Sequence, residues 1–508
     1  MKNYIYNTAT FIGALIVGGS AYAAVTVGSA QFHAKLYSEA LGRIPDQSGW
    51  SGAMSYYQNQ ACNTAALKGQ GISVLTSAEF TNLVTSNNER IFKLHRAALH
   101  RDPTAAEFSN LQSLLGSGAT WSSVVQSVFN GTEFSGRTAV NCGATPFGWQ
   151  PTQPFNVVST STGSFAGGTG AQLQALIDKT PAGGTVYLEQ GAIVKIDTTL
   201  YLRNGRTLTT IGAPGKNHSG LLGRLVRNSP NDSQLIELEA NSTLKNVWVD
   251  GQRNRFGSVR QGINLLSRGS NISIINNLIT DSPGWTSSQS FGSGEGVSCT
   301  AGYIGGNLVT VYGSSHTIKD QWTDGISVAC ENMIVEYNEI IDATDVSIVL
   351  YRSSPAIQKS IARFNTALNA GNSAYGGYVA DPLLYGNGTL SHNFAGAKFQ
   401  NNTIWSSPVA HVDIVLSNGT RAWFGTASDM GYGASFDGNT SGSQKVRGSI
   451  GIAVSGMKEA YVQGNILLFE QTPSRCPSVN VGASVSTGYA SGNLQSYTDI
   501  LIQGCIGH

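Results

Sequence analysis

The chain has 508 residues, a net charge of +1 and 61 glycines, and only 12% of its residues are charged. A near-neutral charge gives no reason to expect a nucleic acid or an anionic membrane surface as a partner. Hydrophobic residues make up 41% of the chain, which excludes an intrinsically disordered protein. Low charge with abundant glycine is typical of an extended β architecture with many turns.

The first 24 residues have the pattern of a secretory signal peptide. Lys2 supplies a positive start, a short apolar core runs from Phe11 to Val17, and residues 21–23 (Ala-Tyr-Ala) form a small-x-small cleavage motif. The apolar run is too short to cross a bilayer, and no later stretch is long enough. We therefore expect a secreted or cell-surface protein without a membrane span. A buried N-terminal helix is the alternative.

Six cysteines follow this segment: Cys62, Cys142, Cys299, Cys330, Cys476 and Cys505. An even number of cysteines in an exported chain favours disulfides. We predict that they pair in sequential order, because each such pair stays within one structural region.

Residues 25–142 contain an internal repeat. The segment from Leu36 to Trp50 matches the segment from Leu94 to Phe108, and each has a proline after its first predicted helix. The sequence therefore predicts a small all-α domain of two copies of about 55 residues. The pattern resembles a helical repeat of unassigned function that occurs, often in tandem, in bacterial extracellular proteins. That resemblance implies a secreted bacterial protein with an attachment or secretion module.

Residues 143–167 hold three prolines and are predicted to be a linker. The following stretch has a short amphipathic helix, Gln172 to Lys179, and then "AGGTVYL" and further short strands. It resembles the opening of the right-handed parallel β-helix enzymes of the pectate-lyase-like superfamily, in which a short helix caps the first coil. A cap of this kind covers the open end of a stacked core.

The rest of the chain repeats a second pattern. An asparagine recurs with an apolar or small residue three positions before it and two after it, at positions 277, 338, 365, 402 and 465. Asparagine tolerates a left-handed backbone and bonds locally, so a stack of them suits one recurring corner. The sequence predicts an all-β right-handed parallel β-helix solenoid over residues 168–508, preceded by the small all-α N-terminal domain.

Three acids are candidates for catalysis: Asp324, Asp342 and Asp345. Asp324 and Asp345 are about one coil apart in sequence, and successive coils stack at about 4.8 Å, so the two carboxylates are expected close together. Such a pair raises one pKa or recruits a cation. Strand alternation turns Asp324 inward and Asp345 outward, which would make them inequivalent. Turn residues without a chemical role are the alternative, since Asp before Gly is common in turns.

Other candidates lie near these acids. Arg352 falls in an insertion between repeats, where functional residues concentrate. His411 and Asp413 share one face of a predicted strand and are a candidate acid/base pair. An exposed histidine without a chemical role is the alternative. Aromatic residues that could stack on sugar rings, or else belong to the core, are Tyr375, Tyr378, Tyr385, Trp405 and Trp423.

The superfamily resemblance implies action on polysaccharides, many of them acidic. Of the polygalacturonase motifs only Thr323-Asp324-Gly325 matches, which argues against that activity. Pectate lyases use calcium held by acids and an arginine as base. By that likeness Asp320, Asp324 and Asp345 are predicted calcium ligands, and Arg352 is the predicted base.

We therefore expect a secreted, monomeric polysaccharide depolymerase acting on an acidic exopolysaccharide or a pectin-like polymer. β-Elimination by a lyase is slightly favoured over hydrolysis by a carboxylate pair. A non-catalytic polysaccharide-binding protein or adhesin is the alternative from another class. An enzyme needs titratable groups that converge, whereas an adhesin needs only an aromatic and polar face.

Overall fold

A computed structural model describes residues 24–145, 153–158, 164–291, 299–351, 358–382, 392–420, 431–454, 457–472 and 485–486. Nearly all of the predicted signal peptide lies outside these ranges, as do Arg352, Tyr385, Trp423, Cys476 and Cys505. Within the described ranges, no helix combines the length and the apolar character that crossing a bilayer requires.

The first described part of the chain is helical. Its helices are α1 (Val27–Ala40), α2 (Gln47–Gln60), α3 (Thr64–Leu75), α4 (Ala78–Leu83), α5 (Asn87–Leu99), α6 (Ala105–Gly116), α7 (Trp121–Phe129), α8 (Thr132–Gly136) and α9 (Thr138–Asn141). The predicted all-α domain is confirmed. The disulfide Cys62–Cys142 ties the end of α2 to the end of α9.

The two copies of the repeat make the same ion pair. Arg43 donates to both carboxylate oxygens of Glu79 at 2.8 Å, and Arg101 donates to both oxygens of Glu133. Each arginine follows the first helix of its copy, and each glutamate lies in the fourth. Bidentate ion pairs fix orientation as well as distance, so each pair holds the first and fourth helices of its copy in the same relative position.

The strands begin with β1 (Gly168–Thr169), helix α10 (Gly170–Lys179), β2 (Thr185–Leu188), β3 (Ile193–Ile196), β4 (Leu200–Leu202), β5 (Thr207–Thr210), β6 (Gly223–Arg227), β7 (Ile236–Glu239), β8 (Thr243–Lys245), β9 (Val247–Asp250), helix α11 (Arg253–Phe256), β10 (Leu265–Arg268), β11 (Ile272–Ile275), β12 (Leu278–Thr280), β13 (Thr286–Phe291), β14 (Thr300–Gly305) and β15 (Leu308–Thr310). They continue with β16 (Asp324–Val328), β17 (Glu331–Glu336), β18 (Glu339–Ile341), β19 (Val346–Tyr351), β20 (Ile361–Arg363), β21 (Thr366–Asn369), β22 (Ala374–Asp381), β23 (His392–Gln400), β24 (Thr403–Ser406), β25 (Val412–Asn418), β26 (Gly431–Asp437), β27 (Thr440–Gly448), β28 (Ile450–Val454), β29 (Met457–Lys458), β30 (Tyr461–Gln463), β31 (Ile466–Gln471) and β32 (Val485–Ser486).

These strands form three long sheets. The twelve-stranded sheet runs β1-β3-β6-β9-β12-β15-β18-β21-β24-β27-β31-β32, and the nine-stranded sheet runs β4-β7-β10-β13-β16-β19-β22-β25-β28. The eleven-stranded sheet holds β2-β5-β8-β11-β14-β17-β20-β23-β26-β29, with β30 also paired to β26. Neighbours pair in parallel except β31 with β32. From β2 to β29, strands that are three positions apart in the chain pair with each other. The chain is therefore a right-handed parallel β-helix, as predicted.

The predicted cap and the second disulfide are also present. Helix α10 buries Leu173 and Ile177 completely in the solenoid core. Cys299 and Cys330, which precede β14 and β17 of adjacent coils, form a disulfide. The first two predicted cysteine pairs are therefore confirmed, and the third lies outside the described residues.

A buried ladder of asparagines forms one corner of the solenoid. After the first member, the side-chain oxygen of each asparagine accepts the backbone N–H of the asparagine one coil earlier, as between Asn338 and Asn365 at 3.0 Å. The ladder comprises Asn277, Asn307, Asn338, Asn365, Asn402, Asn439 and Asn465. The sequence repeat had predicted five of its members and missed Asn307 and Asn439.

The helical domain covers the outer face of the twelve-stranded sheet. Apolar side chains of that face share one buried core with the helices, namely Trp248, Leu278, Leu308, Ile341, Leu368 and Trp405. Buried ion pairs cross the same boundary, since Asp102 accepts from Arg96 of α5 and from Arg224 of β6, each at 2.6 Å. The strands β9 to β24 of this sheet are thus packed against the helices on their outer face.

Candidate active site

The candidate residues converge where strands of the nine-stranded sheet begin. Asp324 is the first residue of β16, and Asp345 immediately precedes β19. Tyr375 and Asp413 are the second residues of β22 and β25. Because Val346 is in register with Gly376, and Gly376 with Ile414, the preceding residues Asp345, Tyr375 and Asp413 follow one another on consecutive coils. Asp345 and Asp413 are therefore about 10 Å apart along the stack.

The two acids predicted to be one coil apart are neighbours. The backbone N–H of Val346 donates to Oδ1 of Asp324 at 2.9 Å, and the Ser327 hydroxyl donates to Oδ2 at 2.7 Å. Asp324 is only 5% exposed, whereas Asp345 is partly exposed. The two acids are inequivalent, since Asp324 is buried with both oxygens bonded and Asp345 is partly exposed.

This arrangement keeps protons on the pair. Burial and the charge of Asp345 raise the pKa of Asp324 well above its usual range, against the hydrogen bonds from Ser327 and Val346. Burial of its carboxyl group and the charge of Asp381 raise the pKa of Asp345 to about 7. Two carboxylates this close cannot both ionise easily, so the pair retains a proton near neutral pH.

Asp342 is turned away from this pair, toward the helical domain. It is fully buried, its Oδ2 accepts from the Gln31 amide of α1 at 2.6 Å, and its Oδ1 accepts from the Ala370 backbone N–H at 2.6 Å. Gly371 and Asn372 donate to it as well. Burial raises its pKa to about 6, although these bonds oppose the shift. A carboxylate enclosed in this way suits a corner that joins two domains.

The predicted calcium ligands do not converge as a set. Asp320 lies on an exposed turn with a left-handed backbone, φ 60°. Among the described residues, Asp320, Asp324 and Asp345 do not bring three ligand atoms together. Arg352, the predicted base, lies outside those residues, and a calcium ion remains a prediction.

His411 and Asp413 are in contact, and a third residue joins them. His411 Nε2 lies 3.3 Å from Asp413 Oδ1, and His316 Nε2 lies 3.5 Å from Asp413 Oδ2. Burial alone would raise the pKa of Asp413, but the two imidazoles outweigh it and lower that pKa to about 2. The sequence patterns did not predict a role for His316. Its only signal was a histidine in the connection just before the coil of Asp324.

Two aromatic rings border these groups. The Tyr375 ring lies 4.4 Å from the His316 ring and 6.1 Å from the Trp322 ring, centroid to centroid. Tyr375 and Trp322 are partly exposed, as stacking on a sugar would require. Tyr378 and Trp405 instead belong to the buried cores.

No protein-family model matches the chain, and no curated protein matches it. Among solved structures, an alginate lyase from Paenibacillus sp. str. FPU-7 is similar at 14% identity, over 58% of this chain and 97% of that one, with a TM-score of 0.36. The Dettilon tailspike protein is similar at 13% identity, over 60% of this chain and 64% of that one, with a TM-score of 0.36. The catalytic domain of a GH87 α-1,3-glucanase gives 12% identity, 65% and 70% coverage, and a TM-score of 0.24.

Proposed function

We propose that the protein is an exported polysaccharide depolymerase that cleaves an acidic polymer by β-elimination at the Asp345 carboxyl. The observation that carries this proposal is the partly exposed Asp345, whose pKa is raised to about 7, beside the buried Asp324. A carboxyl group that keeps a proton at neutral pH can approach another carboxylate without repulsion.

Elimination next to a uronate carboxylate needs that carboxylate neutralised. The hydrogen on the adjacent ring carbon becomes acidic only when the negative charge of the carboxylate is offset. The protonated Asp345 would donate a hydrogen bond to it, and such charge-assisted bonds are strong in a site that excludes water. Tyr375, on the next coil, would hold the sugar ring by stacking.

The remaining proton transfer is assigned by resemblance. In pectate lyases an arginine takes the ring proton, and Arg352 is the residue of this chain that we assign to that role. The glycosidic oxygen then leaves, a carbon–carbon double bond forms, and water or a nearby acid returns a proton to the leaving oxygen. Arg352→Ala is expected to abolish this activity.

Hydrolysis by a carboxylate pair is the second candidate. The closeness of Asp324 and Asp345 favours it, because a retaining hydrolase uses two acids about 5 Å apart. Both acids must then reach the sugar. Asp324 is buried, and Val346 and Ser327 occupy its two oxygens, so the described geometry presents only Asp345. Because only one of the two acids is available to a sugar, we favour elimination over hydrolysis.

Product analysis separates these functions. The purified full chain would be incubated with polyuronates and with neutral glucans while ultraviolet absorbance and new reducing ends are followed. Elimination gives both signals and only on polyuronates, whereas hydrolysis gives reducing ends without absorbance. Binding to a polymer with neither signal would support the adhesin alternative and refute catalysis. Asp437→Asn, a partly exposed acid at the end of β26 in another sheet, is the matched control.

A further inference from the structure

Three side chains from two separate segments converge beside Tyr375. His316 comes from the connection between β15 and β16, and His411 and Asp413 come from the start of β25. One ligand atom from each lies within 4.8 Å of the other two. We call this group the histidine cluster.

Two residues of the cluster are buried, and three of their polar atoms lack hydrogen bonds. His316 is 7% exposed and Asp413 is 3% exposed. Neither ring nitrogen of His316 has a hydrogen-bond partner, and neither does Oδ2 of Asp413. Buried polar atoms are nearly always paired, so His316 Nε2 and Asp413 Oδ2, which face each other at 3.5 Å without a hydrogen bond, point to a missing ligand.

The spacing within the cluster is that of ligands around a metal. The nitrogen–oxygen separations of 3.3 Å and 3.5 Å exceed the usual length of about 2.7–2.9 Å for an ion-paired hydrogen bond. Bonds of about 2.0–2.1 Å to a tetrahedral zinc ion would place its ligands about 3.3–3.4 Å apart. Each histidine is thus at about ligand-to-ligand distance from one oxygen of Asp413, and one ligand atom from each of the three residues lies within 4.8 Å of the other two.

The surroundings orient the ligands. His411 Nδ1 lies 2.9 Å from the Ser373 hydroxyl, which leaves Nε2 directed at Asp413. Metal-bound histidines characteristically use their second nitrogen in this way. The Tyr375 ring packs on His316 at 4.4 Å and fixes its plane. The His411 side chain is 34% exposed, which gives an ion a path of entry.

We propose that His316, His411 and Asp413 bind a divalent transition-metal ion with the preferences of zinc. Two imidazoles and one carboxylate suit zinc and its neighbours, whereas calcium requires six or more oxygen ligands. Three protein ligands leave a fourth position open, as in sites that bind water or substrate. The inference is independent of the proposed elimination, since Asp345 lies about two coils away.

Metal binding can be measured without any activity. The full chain, stripped with a chelator and dialysed, would be titrated with Zn²⁺ by calorimetry and with Co²⁺ by visible absorbance. We expect one strong site and a Co²⁺ spectrum of low-coordinate type, displaced by Zn²⁺ and unaffected by excess Ca²⁺.

Substitutions locate the site. His411→Ala and His316→Ala are each expected to weaken binding at least 100-fold, and Ser373→Ala, which keeps every ligand, by about 10-fold. His218→Ala is the matched control, because that partly exposed histidine contacts Glu89 elsewhere. Absence of a strong site in the unaltered chain would overturn the proposal. Unchanged binding in both folded ligand variants would overturn it equally.

Discussion

Asp324 is held next to Asp345, because its Oδ1 accepts at 2.9 Å the backbone N–H of Val346, the residue that follows Asp345. The buried acid therefore cannot move away from its partly exposed neighbour. Because one coil separates the two residues, the stacking of the solenoid itself sets their distance. The solenoid thus provides a carboxyl group that is presented to the surface and retains its proton.

The first prediction concerns pH. Elimination requires protonated Asp345, so the rate should fall as pH rises through about 7, the pKa of that group. Asp381→Asn removes a negative charge that helps to raise the pKa of Asp345, so it makes ionisation of Asp345 easier. The alkaline limb of the rate profile should then move to lower pH. Initial rates on a polyuronate across pH 5–9 test this, and an unmoved limb in a folded variant would contradict it.

The second prediction concerns Asp342. Asp342→Ala leaves Gln31 and backbone N–H groups without their acceptor in a buried corner, which should reduce the free energy of unfolding by about 2–4 kcal/mol. Asp342→Asn keeps one acceptor oxygen for the backbone N–H groups but loses the oxygen that accepts from Gln31, so it should cost less stability than Asp342→Ala and should leave activity unchanged. Chemical unfolding and product assays measure these two effects. Loss of activity in a stable Asp342→Asn variant would show instead that the acid takes part in the chemistry.

The charge of Asp342 has its own effect on stability. Its pKa is raised in the folded state from 3.8 to about 6, so the folded state binds the proton more tightly. The stability that this proton contributes is fully present below pH 3.8 and is lost as pH rises toward 6. The difference in unfolding free energy between wild type and Asp342→Asn should therefore change across this window. A difference independent of pH would contradict the assignment.

The third prediction concerns the asparagine ladder. Asn365→Ala removes the acceptor of the Asn338 backbone N–H and side-chain amide, and the donor to the Val335 carbonyl. All these groups are buried, so we expect a loss of about 3–5 kcal/mol in the free energy of unfolding. Lys398→Ala, at an exposed position of β23, should change it by less than about 0.5 kcal/mol. Equal effects of the two variants in denaturant unfolding would refute the structural role of the ladder.

The fourth prediction concerns the helical domain. Residues 168–508 expressed alone would expose the apolar face of the twelve-stranded sheet, including Trp248 and Trp405, and should aggregate. Co-expression with residues 25–167 should restore a soluble complex. Size-exclusion chromatography measures both. A monodisperse, soluble solenoid without its helices would contradict the shared core.

The sequence predicted the fold more fully than the site. Repeated asparagines and the motif around α10 mark a solenoid, because local turn chemistry and strand length recur in every coil. The two helical copies were visible for the same reason. The sequence did not show that the apolar faces of these helices pack on the solenoid. Trp248 and Leu308 occur in strands whose other face is also buried, so their sequences read as ordinary core strands.

The candidate site was only half predictable. The spacing of Asp324 and Asp345 along one coil was enough to bring them together. Asp342 has the same local sequence features, yet its left-handed backbone, φ 59°, accompanies a carboxylate that binds the helical domain. His316 joins His411 through an irregular connection, and no periodic pattern predicts where such a segment folds.

The rate at which Asp345 variants form unsaturated uronate tests the central claim most directly. If the protein acts by elimination, Asp345→Ala should lower the rate of absorbance increase on a polyuronate at least 100-fold. This factor corresponds to about 2.7 kcal/mol of transition-state stabilisation. Asp345→Asn should retain much of it, because an amide can still donate to the uronate carboxylate, and its alkaline limb near pH 7 should disappear. Full activity in Asp345→Ala would contradict the account. Equal loss in both variants, with reducing ends but no absorbance in the wild type, would identify a hydrolase instead.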